Sequence, residues 1–165
     1  PMTDKTSFSS EEWASVLQLP GAVAMYIITA SPAIGDSMKE TFALAQNLAD
    51  PAQKESAGGL LKAVLDEFKD AGSARQAQPK FEAQQDMTAL RTAMLDTIRK
   101  SVALVDQKAE ANEAIDFKMW LYKVADDTAQ AAKEGDFLGI GGEKVNQAER
   151  DALTELGTVF QVHQV

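Results

Sequence analysis

Apolar residues recur along this chain at three- and four-residue intervals and hardly ever alternate with polar ones, the pattern of helices and not of strands. Ser9-Ser10-Glu11-Glu12 has the form of a capping box, with Ser9 as N-cap and Glu12 reaching back to it. The helix it opens carries Trp13, Val16 and Leu17. Pro20 can open a further helical turn but cannot continue the first helix without a kink, so a separate buried helix is expected over residues 20–30, ended by Ser31-Pro32. Asp36 is placed to cap a helix bearing Met38, Phe42, Leu44, Ala45 and Leu48. Asp50-Pro51 is another start signal, weakened by Gly58-Gly59, and the well-patterned part that follows is Leu60, Leu61, Val64, Leu65 and Phe68.

The small, polar residues 71–78 predict a loop, the only hinge expected in the chain. Pro79 is expected to open the longest helix, over residues 79–109, with Met87, Leu90, Met94, Ile98, Val102 and Val105 on one stripe. Asn112 or Glu113 begins the next, with Phe117, Trp120, Leu121, Val124 and Thr128 inward and Asp126, Gln130 and Lys133 outward. Gly135 is placed to stop it. Asn146-Gln147-Ala148-Glu149 repeats the capping-box pattern ahead of Leu153, Leu156, Val159 and Phe160. The expected fold is therefore all-α: one bundle of five to seven helices spanning residues 1–165 as a single domain. Pro1 before Met2 reads as a residue left by tag cleavage.

Composition narrows the chemistry. The chain has no cysteine, which removes disulfides, thiolate metal sites and thiol catalysis and suits a cytoplasmic protein. Its single histidine is His163, expected to be a solvated terminal residue. Nucleophilic triads and His-bearing di-iron bundles therefore lack their parts. The net charge of −9 disfavours nucleic acid, since the longest basic cluster, Arg99-Lys100, is flanked by Asp96 and Asp106. No membrane span is expected, because Pro20-Gly21 interrupts the apolar stretch of residues 13–30. Met25, Met38, Met87, Met94 and Met119 sit at apolar positions and read as core filling. Of the two tryptophans, Trp13 is the one expected to be partly exposed.

Carboxylates and glycines are the remaining candidates. Glu110, Glu113 and Asp116 share a face near a helix start, where negative charge is favourable by itself and a solvated face is expected. Asp126 and Asp127 point in different directions, so only one can meet Lys123. Gly135-Asp136-Phe137-Leu138-Gly139-Ile140-Gly141-Gly142 is glycine-rich but follows a helix and lacks a Gly-Lys-Ser/Thr, so tight turns are expected there and no phosphate loop.

Residues 142–153, Gly-Glu-Lys-Val-Asn-Gln-Ala-Glu-Arg-Asp-Ala-Leu, resemble the helix-opening motif of the tellurite-resistance TerB-like family. Val145 matches its hydrophobic position and Glu149 its glutamate, while Gly142-Glu143 stands where that family has Ala-Asp-Gly. The chain also resembles bacterial all-helical proteins with a Phe-Leu-Gly-x-Gly-Gly segment before such a helix. The TerB-like resemblance implies a divalent-cation site, with Asp136, Glu143 and Glu149 as its ligands here. Otherwise no cofactor is expected. Three functions stay open: a non-enzymatic interaction or stress-associated accessory protein, with a protein partner or self-association; a TerB-like cation binder; and an apolar small-ligand carrier, which requires a cavity of ~300 Å³ or more.

Overall fold

The computed structural model describes residues 2–30, 59–135 and 147–162. Over these the chain is all-α, without a strand: a short 3-10 turn (Lys5–Ser7), then α1 (Ser10–Ile28), α2 (Gly59–Glu67), α3 (Ala71–Gln76), α4 (Met87–Lys108), α5 (Ala111–Gly135) and α6 (Gln147–Phe160). The helix expected around Phe42 and the start signal at Asp50-Pro51 lie outside the described residues.

Helix α1 is the centre of the bundle. Its capping box forms as expected: Ser9 Oγ accepts from the Glu12 amide at 3.2 Å, and Glu12 Oε1 accepts from the Ser9 amide at 2.8 Å. Pro20 does not divide it, and one helix runs from Ser10 to Ile28. An interior proline costs a helix roughly 3 kcal/mol. Here Val16, Leu17, Leu19, Val23 and Ile27 are all buried on either side of it, and burying side chains of that size contributes about 1.5–3 kcal/mol each. The burial outweighs the lost hydrogen bond.

α4, α5 and α6 pack on α1. The α4 stripe is as expected from Met94 onward, with Met94, Ile98, Val102 and Val105 buried. The helix itself begins later than expected. Asp86 is its N-cap, accepting from the Ala89 amide at 2.8 Å, and the residues after Pro79 lay the half-buried Phe81 against the core in non-helical backbone. Residues 71–76 are helical where a loop is expected. Alanine, arginine and glutamine are good helix formers, and the turn is held in place by Gln18 Nε2 donating to the Gln76 carbonyl at 3.3 Å.

Exposure also departs from the sequence reading at three side chains. Trp13 is 2% exposed and Trp120 6%, because Phe8 packs over Trp13 with ring centroids 5.7 Å apart. Met119 is 54% exposed and Met87 50%. Met119 sits two residues from the inward Phe117, roughly 200° around the helix, and Met87 is the first residue of α4.

Two polar links set how the outer helices meet. Glu113 of α5 is no solvated carboxylate: it accepts from the Thr3 amide at 3.1 Å, the Thr3 hydroxyl at 2.9 Å and the Leu60 amide at 3.1 Å. It thus caps α2 from another helix, satisfying an N-terminal amide that lacks an intrahelical partner. On the far side, the buried Lys118 pairs with Asp106 of α4 at 2.8 Å and donates to Gln161 Oε1 at 3.5 Å. Gln161 has φ 60° and closes α6, with the Val162 amide donating to the Gly157 carbonyl at 2.9 Å.

Gly59 opens α2 at φ +56°, and a Cβ there would lie 1.3 Å from Glu113 Oε1. Gly59→Ala is therefore expected to destabilise the protein by about 1–3 kcal/mol. At Gly72 a Cβ meets only Asp70 Oδ2 at 3.6 Å, so Gly72→Ala should be neutral or stabilising by up to ~1 kcal/mol. Urea unfolding of the two variants checks this; equal effects would contradict the capping role of Glu113.

Candidate functional site

The cation ligands suggested by the sequence are only partly visible. Asp136 and Glu143 lie outside the described residues, as do His163 and most of the glycine-rich segment. Glu149 sits in the first turn of α6 and is 3% exposed. Among the described residues no three acidic or histidine side chains converge as metal ligands would. Of the Asp126–Asp127 pair, Asp127 meets Lys123, at 3.0 Å. Among the described residues, no helix is long and apolar enough to cross a membrane.

The structure instead assembles a cleft that the sequence did not announce. It has a volume of about 380 Å³ and lies between α1, α4 and α6, lined by Tyr26, Thr88, Arg91, Thr92, Leu95, Asp96, Arg99 and Glu155. The α4 contribution is one helical face, since 88, 91, 92, 95, 96 and 99 follow the three- and four-residue spacing. The buried stripe adjoins this face, roughly a quarter-turn around the helix. α1 supplies Tyr26 from the core, and α6 supplies Glu155 from its exposed side.

Tyr26 organises the site. Its body is 4% exposed, and its hydroxyl donates to Glu155 Oε2. The Arg91 guanidinium lies over its ring, 4.3 Å from the centroid, a cation–π contact. Arg91 Nε is buried with no hydrogen-bond partner, and no carboxylate among the described residues is paired with the group. Arg99, two turns along the same face, is ion-paired to Asp96 at 3.6 Å. That pairing agrees with the sequence reading, in which Asp96 offsets the Arg99-Lys100 cluster. A second recess near Ser15, Gln18, Phe81 and Ser101 has only about 30 Å³ and is too small for anything beyond water.

No known protein family, curated protein or solved structure matches this chain.

Burial, with the hydrogen bond to Glu155, pushes the Tyr26 phenol from its ordinary 10 up to about 12, while the nearby Arg91 pulls it the other way. A raised pKa means that the folded protein holds this proton more tightly than the unfolded chain. The resulting stability is fully present below pH 10 and is lost as pH rises from 10 to about 12. Tyr26→Phe is expected to flatten that alkaline loss. Denaturant unfolding across this window, alongside tyrosinate absorbance, measures it; an unchanged alkaline slope in the variant would refute the assignment.

Proposed function

We propose that this chain acts by binding, as an accessory protein rather than a catalyst, and that the Tyr26 cleft is where it takes a small polar ligand. One observation carries the reading. Arg91, half-buried, lines a cleft of about 380 Å³ with no carboxylate paired to it among the described residues and with its Nε buried without a hydrogen bond, in a chain with 25 acidic and 16 basic residues. With carboxylates in such excess, an arginine left without one and fixed on an aromatic face has the form of a ligand-binding group.

The volume is within the range of small-molecule sites, which begin at roughly 300 Å³. The cleft differs from the pocket that an apolar-ligand carrier would need inside the bundle, since it is lined mostly by surface residues and by no methionine or phenylalanine. Only Leu95 in the lining is aliphatic, while two threonines, two arginines, two carboxylates and a tyrosine supply the rest. An apolar ligand would cover Arg91 and the Glu155 Oε1 without giving either a partner, which costs about 1–3 kcal/mol for each.

NMR titration with a panel of α-amino acids, di- and tricarboxylates, sugar phosphates and polyols tests the proposal. Amide shifts are expected to cluster at Thr88, Arg91, Thr92, Leu95, Arg99 and Glu155. Arg91→Ala should weaken the responding ligand at least about tenfold, the loss of one charge-assisted contact. A panel without a responder, or shifts confined to another face, would overturn the reading.

A further inference from the structure

The charges around this cleft are of both signs, and two of them, Arg91 and Glu155, are held apart. Arg91 lies over the face of the Tyr26 ring, while Glu155 sits at its hydroxyl end. One phenol therefore spaces a cation from a carboxylate, and the two make no ion pair with each other. Because the Tyr26 body is buried, the spacing is fixed by the core. Glu155 gives one oxygen to the phenol, and its Oε1 takes no hydrogen bond from a described residue.

Arg99 and Asp96 are paired with one another at 3.6 Å, so the cleft charges without an ion-pair partner among the described residues are Arg91 and Glu155. A simple anion meets attraction from Arg91 and repulsion from Glu155, and a simple cation meets the reverse. A molecule carrying both charges a few bonds apart satisfies both walls at once. Resting on the reading of the cleft as the binding site, we infer that its ligand is a zwitterion of the α-amino-acid type. The carboxylate goes to Arg91, within reach of the Thr88 and Thr92 hydroxyls on the same helical face. The ammonium goes to Glu155, and Leu95 offers the one aliphatic surface for a side chain.

Calorimetry with three matched probes tests this: L-leucine, isocaproate, which lacks the ammonium, and isoamylamine, which lacks the carboxylate. Leucine is expected to bind at least about tenfold more tightly than either. Glu155→Gln should erase its advantage over isocaproate, and Arg91→Gln its advantage over isoamylamine, with thermal unfolding showing that both variants are folded. Isocaproate binding as tightly as leucine would overturn the inference and leave the cleft reading standing. So would a panel in which a ligand of single charge shifts the cleft amides while every amino acid is silent. Silence across the whole panel overturns both.

Discussion

The rest of the structure depends on a helix that has to be covered on nearly every side. Eleven of the nineteen residues of α1 are buried, from Trp13 to Ile28, so one packing partner is not enough. α4 and α5 cover most of it, α6 closes another flank, and the N-terminal segment folds Phe8 over Trp13. This demand explains why Pro20 is carried inside the helix. Breaking α1 there would expose apolar surface on both sides of the break, and that loss exceeds the cost of a missing amide.

Polar links fix how the outer helices meet around α1. Glu113 fixes α5 to the start of α2 and to the N-terminal strap through one carboxylate with three donors. Lys118 fixes α5 to α4 and to the end of α6. Buried groups of this kind specify geometry more than they add net stability, because desolvation offsets much of their attraction.

What the sequence revealed follows the range of the forces involved. The Ser9 capping box, the stripe from Met94 to Val105 and the inward set of Phe117, Trp120 and Leu121 rest on neighbours within a turn or two, and all were legible. The helix at Ala71–Gln76 and the late start of α4 were not, since Gln18 and the core contact of Phe81 decide them from far along the chain. Glu113 was visible only as one of several acidic residues near a helix start. Its partners Thr3 and Leu60 lie 110 and 53 residues away. The cleft was hidden for the same reason. The Thr88, Arg91, Thr92, Leu95, Asp96, Arg99 face can be drawn from spacing alone, but nothing local joins it to Tyr26 or to Glu155, 129 residues beyond that tyrosine.

Core and cleft are coupled through Tyr26. Its ring belongs to the apolar surface of α1, while its hydroxyl and π-face are the two points against which Glu155 and Arg91 are set. A tyrosine in this position need not be ordered by a ligand, because the packing of α1 has already ordered it, and binding is spared that loss of freedom. The long side chain of Arg91 is likewise restrained by stacking before any ligand arrives. The cleft is thus built from groups whose positions follow from covering α1, and the separation of Arg91 from Glu155 follows the dimensions of one buried ring.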